Sequence, residues 1–163
     1  MSYDFHFETD SDGVATLTLD RPETLNSLTF EIYGQLEKLF IDLRTDDTVK
    51  AIVLTGKGNG FCSGGNVEEI IGPLFEKDLN GTLEFTRMTG AVVRNMLRLD
   101  KPIIAAINGI AAGAGSVLAL ASDIRVMSEK AKFAFLFTKV GLTGADMGAA
   151  WLLPKIIGTG RAM

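Results

Sequence analysis

Asn108-Gly109-Ile110-Ala111-Ala112-Gly113-Ala114-Gly115-Ser116 is the stretch from which the fold of this chain is read. The apolar run Ile103 to Ile107 precedes it and Val117-Leu118-Ala119-Leu120-Ala121 follows, so its glycines fall where a buried strand turns into a helix. A second segment repeats the pattern. Ala51 to Thr55 reads as a strand covered on both faces, Phe61-Cys62-Ser63-Gly64-Gly65-Asn66 as a turn, and Val67-Glu68-Glu69-Ile70-Ile71 as a helix opening. Glycine at such a turn lets backbone approach a ligand closely. The helix N-terminus behind it presents N–H groups that have no intrahelical partner. Two such turns facing each other hold two donors on one oxygen atom, an oxyanion hole, and this points to chemistry on a carbonyl.

Outward from these turns the chain alternates strands and helices. Val14 to Leu19 places Ala15, Leu17 and Leu19 on one greasy face, and Asp10-Ser11-Asp12-Gly13 turns it back on a partner near Phe5 to Glu8. Thr29 to Leu43 carries Ile32, Leu36, Leu39, Phe40 and Leu43 at helical spacing, with Thr29 or Ser27 as its cap. Leu79 to Leu99 has the same spacing through Phe85, Met88, Val92, Met96 and Leu99. The preceding Gly72-Pro73 and Asn80-Gly81 read as a mobile connection, suited to a lid over a site. Ile124 to Met127 and Lys132 to Phe135 are short strands, and Met147 to Ile157 is an apolar helix that Pro154 interrupts or ends. The alternation indicates an α/β fold in a single domain over residues 1–163.

The same segments carry a family resemblance. Phe61 to Asn66 resembles the F-x-x-G-x-D turn of the enoyl-CoA hydratase/isomerase (crotonase) superfamily, and Asn108-Gly109 through Ala121-Ser122-Asp123-Ile124 resembles its N-G-x-A-x-G-G-G…D-I segment. Arg21-Pro22-Glu23-Thr24-Leu25-Asn26-Ser27-Leu28 resembles the R-P-x-x-x-N-A-L stretch of that family. Lys101-Pro102-Ile103 and Val140-Gly141-Leu142 through Leu153-Pro154 fit as well. The resemblance implies a spiral of repeated β-β-α units, the fold shared by crotonase and Clp-type proteases. It also implies a CoA thioester substrate, with coenzyme A as part of the substrate and no separate cofactor, and assembly as a homotrimer or hexamer. Relatives continue into a helical region that closes the acyl pocket and builds trimers. This chain stops at Gly160-Arg161-Ala162-Met163, so the resemblance implies a core lacking that region.

Residue by residue, Gly65 and Ala114 match the family's two oxyanion donors. The hole acts through backbone, so a small Cβ at Ala114 need not block it. Cys62, Ser63 and Gly64 match the segment that curls around the adenine end of coenzyme A. Asp146, between Gly144-Ala145 and Met147-Gly148, has two readings that coexist: an N-cap, for which Asp ranks high, or the acid/base that several isomerases of the superfamily carry in this turn. A standard hydratase keeps two glutamates where this chain has Val117 and Phe137, neither of which moves a proton. Asp146 is then the principal candidate for proton transfer. One carboxylate shuttling a proton favours double-bond isomerisation, and family frequency favours hydration. The competing class is a non-catalytic acyl-CoA-binding or assembly subunit.

Other classes fit poorly. Net charge is −4 and no basic patch occurs, which argues against a nucleic-acid surface. Cys62 is the sole cysteine, so an internal disulfide or cysteine metal cluster is excluded and a reducing, cytoplasmic setting fits. No signal peptide is legible at the N-terminus. Ile103 to Ser122 is uncharged, but Asn108 and its glycines argue for strand, turn and buried helix rather than a membrane span. Gly-x-Ser-x-Gly is absent, and His6 is the only histidine, against a serine hydrolase. Leu118 stands where a dinucleotide loop needs glycine, and there is no P-loop.

Overall fold

In the computed structural model, which describes residues 3–163, the first hairpin consists of β1 (Phe5–Thr9) and β2 (Val14–Leu19), paired antiparallel. The Asp10 carboxylate closes its turn by accepting from the N–H groups of Asp12 and Val14 at 2.9 Å, the local bonding that places Asp in turns. Ala15, Leu17 and Leu19 face the core. Helix α1 (Phe30–Asp42) follows, capped by the Thr29 hydroxyl, which accepts from the Ile32 N–H. Its buried stripe is Ile32, Tyr33, Leu36, Leu39 and Phe40, the set that 3.6-residue periodicity brings to one face.

Six further strands come in pairs: β3 (Ala51–Gly56) and β4 (Gly60–Cys62), β5 (Ile103–Ile107) and β6 (Ile110–Ala112), β7 (Ile124–Met127) and β8 (Lys132–Ala134). The first member of each pair joins a five-stranded sheet of order β1-β2-β3-β5-β7, parallel from β2 onward. The second member joins a separate parallel sheet of order β4-β6-β8. After β4 the chain makes a π-helical turn (Val67–Ile71) and runs through α2 (Gly72–Glu76) into α3 (Leu79–Leu97). After β6 comes α4 (Ala114–Ala121), wholly buried. This is the spiral of β-β-α units that the resemblance implies. A 3₁₀ turn (Asp146–Gly148), α5 (Ala149–Ile157) and α6 (Thr159–Ala162) close the chain.

Three expectations are corrected. The glycine-rich turns are not direct strand-to-helix turns, because each contains a three-residue strand that builds the second sheet. β3 is not fully covered on both faces: Ile52 and Leu54 are buried, while Ala51, Val53 and Thr55 are half-buried. The supposed mobile connection at Gly72-Pro73 and Asn80-Gly81 is mostly helical. Pro73 sits in the first turn of α2, where its missing N–H has no intrahelical acceptor to lose. Asp78 caps α3 by accepting from the Gly81 N–H at 2.8 Å. The uncharged segment from Ile103 to Ser122 divides into β5, β6 and α4, and no helix among the described residues is long and apolar enough to cross a membrane.

Candidate active site

The second sheet brings the two glycine turns together. β4 pairs with β6 so that Cys62 lies beside Ala111. The Asn108 amide then ties the turns' bases, donating to the Gly58 and Gly60 carbonyls at 2.9 and 3.0 Å and accepting from the Gly56 N–H at 3.3 Å. Further along, Gly64 adopts φ +100° and lies against the other turn: a Cβ on it would stand 2.9 Å from the Ala112 carbonyl oxygen and 3.4 Å from the Ala114 nitrogen. Both the positive φ and the close approach require glycine there.

The N–H groups flanking this contact are bonded. Ser63 donates to Leu25, Asn66 to Leu28 and Gly113 to Ala134, each at 2.9 Å. Those of Gly65 and Ala114 have no acceptor among the described residues. Ala114 is the first residue of α4, where helix geometry provides none. Both residues line one cleft. The two donors that the sequence singles out are therefore both unpaired among the described residues, and both line the cleft.

Asp146 lines the same cleft, half-buried, and also the wider groove between α3 and α5. Burial pushes its carboxyl above the ordinary aspartate value, and the Met147 N–H pulls weakly the other way. It is not the cap of α5. That helix begins at Ala149 after Gly148 and has no side-chain cap. Among the residues lining the cleft, Asp146 is the sole carboxylate. Phe137 stands in the apolar wall with Ile70, Val140 and Leu142, and Val117 is fully buried off the cleft in α4. The two positions at which the resemblance implies hydratase glutamates thus carry hydrocarbon side chains.

Ser63 and Gly64 line the cleft, but the Ser63 hydroxyl is engaged, donating to the Thr24 carbonyl at 2.7 Å. Cys62 is not on the cleft surface. It is fully buried, and burial pushes its thiol up to about 12, so its side chain packs rather than binds or reacts. Asn66 anchors the first turn by accepting from the Glu68 and Glu69 N–H groups at 2.9 and 3.0 Å. Sequence reading missed one polar residue of the cleft, Tyr33. It sits on the apolar stripe of α1 and is indistinguishable there from a core aromatic. Burial, with smaller contributions from Cys62 and Asp146, raises its phenol well above the usual value, so it stays a donor.

Similarity to known proteins follows the same outline. The profile of the family described as Enoyl-CoA hydratase/isomerase matches residues 9–163. The 1,2-epoxyphenylacetyl-CoA isomerase of Escherichia coli (strain K12) is 44% identical over 155 residues, covering 93% of this chain and 57% of its own. A crystal structure from Streptomyces coelicolor A3(2), provisionally an enoyl-CoA hydratase, superposes with TM-score 0.93 at 54% identity, over 97% of this chain and 57% of that one. An enoyl-CoA hydratase/isomerase from Mycobacterium paratuberculosis gives TM-score 0.91 at 32% identity, over 99% and 64%. The chain spans about half the length of the curated relatives it matches.

Proposed function

This chain belongs to the enoyl-CoA hydratase/isomerase family, and on that premise we propose that it binds an acyl-CoA thioester and moves a proton on the acyl group. The observation that carries the reading is the unpaired N–H groups of Gly65 and Ala114 in the same cleft as Asp146. The thioester oxygen accepts from both donors, which stabilises the negative charge that develops there when a carbon-bound proton leaves. Asp146 in its ionised form takes that proton and returns it to another carbon of the same acyl chain. A carboxyl raised by burial is closer to neutrality than a solvated one and suits both halves of the transfer. This chemistry draws on the CoA thioester alone and requires no metal or separate cofactor.

The single carboxylate favours isomerisation over hydration, because activating water and protonating carbon are two tasks for which hydratases use two groups. The name of the E. coli isomerase supports that preference; relatives named as hydratases favour addition of water. We propose self-association as well, as a trimer or a pair of trimers. β7 is an edge strand whose Ile124, Val126 and Met127 are exposed, an arrangement that invites pairing or coverage.

Proton exchange at C2 of butyryl-CoA in D₂O, followed by NMR beside a calorimetric titration, tests the reading. Wild type exchanges the C2 protons. Asp146→Asn binds as tightly and exchanges roughly 10²–10⁴-fold more slowly, the usual worth of general acid–base catalysis. Binding without exchange in wild type overturns catalysis in favour of a non-catalytic acyl-CoA-binding subunit.

A further inference from the structure

Tyr33 carries a buried phenol that the proposed proton transfer does not use. The residue is 2% exposed, and its ring lies edge-on to Phe85 with centroids 5.9 Å apart. Among the described residues its hydroxyl has one partner, the Met147 Sδ at 3.7 Å. A thioether is a weak acceptor, so this donor is engaged well below its capacity in a setting where buried donors are normally well satisfied. The hydroxyl also stands 3.8 Å from the place a Cβ on Gly65 would take. It therefore lies beside the first oxyanion donor, in a wall otherwise made of Ile70, Phe85, Leu142 and similar side chains.

We propose that Tyr33 is a specificity-determining donor: its hydroxyl bonds an oxygen on the acyl group itself, close to the thioester, so that oxygen-bearing acyl-CoA esters are preferred over plain hydrocarbon ones. The inference rests on the acyl-CoA reading above and extends it to the class of acyl group. With the thioester oxygen on the Gly65 and Ala114 N–H groups, the first carbons of the acyl chain pass the Gly65 wall where the phenol stands. A saturated or simply unsaturated chain leaves the hydroxyl on sulfur. An acyl oxygen replaces sulfur with a strong acceptor, and a buried donor that exchanges a poor partner for a good one discriminates against the ligand lacking it. Met147 directly follows Asp146, so the substrate oxygen displaces the one side chain linking Tyr33 to the carboxylate turn.

The test compares acetoacetyl-CoA, which has a C3 oxygen, with butyryl-CoA, which has none, by calorimetry on wild type, Tyr33→Phe and Met147→Leu. Wild type prefers acetoacetyl-CoA. Tyr33→Phe keeps the ring and its packing, retains butyryl-CoA affinity and loses roughly three- to tenfold of that preference, the net worth of one hydrogen bond. Met147→Leu removes the sulfur, leaves the phenol and keeps the preference. An unchanged ratio in Tyr33→Phe, or equal loss for both esters, overturns the proposal. Failure of both esters to bind wild type overturns the acyl-CoA reading itself, and this inference with it.

Discussion

Gly115→Ala tests whether the paired turns depend on the contact between α4 and β4. A Cβ at position 115 would lie 2.1 Å from the Cys62 carbonyl oxygen, 2.7 Å from its Cβ and 2.8 Å from its carbonyl carbon. Ordinary contact begins near 3.4 Å, so α4 and β4 must separate by more than an ångström. The obstacle is mostly backbone of a paired strand and has no rotamer to change. Overpacking costs roughly 1–3 kcal/mol, and this contact belongs at the upper end. About 3 kcal/mol in a domain of this size lowers Tm by roughly 6–12 °C. The same displacement moves Gly65 away from Ala114, so butyryl-CoA affinity falls even at temperatures where the variant is folded. Differential scanning fluorimetry and calorimetric titration, with Gly90→Ala as control, provide the assay. Gly90 lies within α3 with nothing within 4 Å of its added Cβ, so that variant gains about 0.5–1 kcal/mol from helix propensity. A Gly115→Ala protein with wild-type Tm and wild-type affinity would falsify the claim that this contact holds the hole together.

Asp146→Asn raises stability at neutral pH. The carboxyl is raised in the fold, so the stability it contributes is fully present below its unfolded value of 3.8 and is lost as pH rises through the folded value; the variant's Tm advantage therefore closes on acidification, and a constant advantage across pH refutes the assignment. Cys62, fully buried with its thiol pushed up to about 12, resists iodoacetamide in the native protein and reacts only on denaturation, as mass spectrometry will show. Asn26→Ala removes a buried amide that accepts from the Arg21 N–H at 2.9 Å and donates to the Lys57 and Gly60 carbonyls at 2.9 and 2.8 Å. Its urea midpoint drops, at roughly 1–3 kcal/mol for each group left without a partner, and an unchanged midpoint contradicts that role.

What the sequence made legible is what has a period or a cap. Leu17 and Leu19 alternate with threonines, and Ile32, Leu36 and Leu39 recur at helical spacing, so β2 and α1 follow from local pattern alone. Three-residue strands have no measurable period. β4 and β6 therefore lie hidden inside the glycine turns, and of the second sheet only β8 is legible from the residues alone. Gly72-Pro73 reads as a break in sequence because glycine and proline disrupt a helix interior, yet here both lie in the first turn of α2. Within the site, Gly65 and Ala114 were legible as turn positions; that their N–H groups lack acceptors depends on long-range packing. Tyr33 was not legible, because a phenol on an apolar stripe earns its meaning only from what lies opposite it.

The two halves of the site are built differently, and this predicts how they fail. The donors belong to backbone that directly follows β4 and β6, fixed by β4–β6 pairing, by the Asn108 amide and by the Gly64 contact. The carboxylate belongs to a surface segment in which Thr143, Gly144 and Ala145 are exposed and the chain reverses through positive φ at Met147 and Gly148. That segment packs its buried Met147 into the core beside α4, and the Tyr33 hydroxyl donates to the Met147 Sδ. Changes in the packed turns should therefore alter thioester affinity and proton transfer together, since both need the hole. Changes from Thr143 to Gly148 should leave affinity near wild type and act on the rate of C2 exchange, since they move only the group that carries the proton. A Gly144→Pro variant that loses butyryl-CoA affinity and exchange in equal measure would show that the carboxylate segment also builds the binding surface, and the division drawn here would fail.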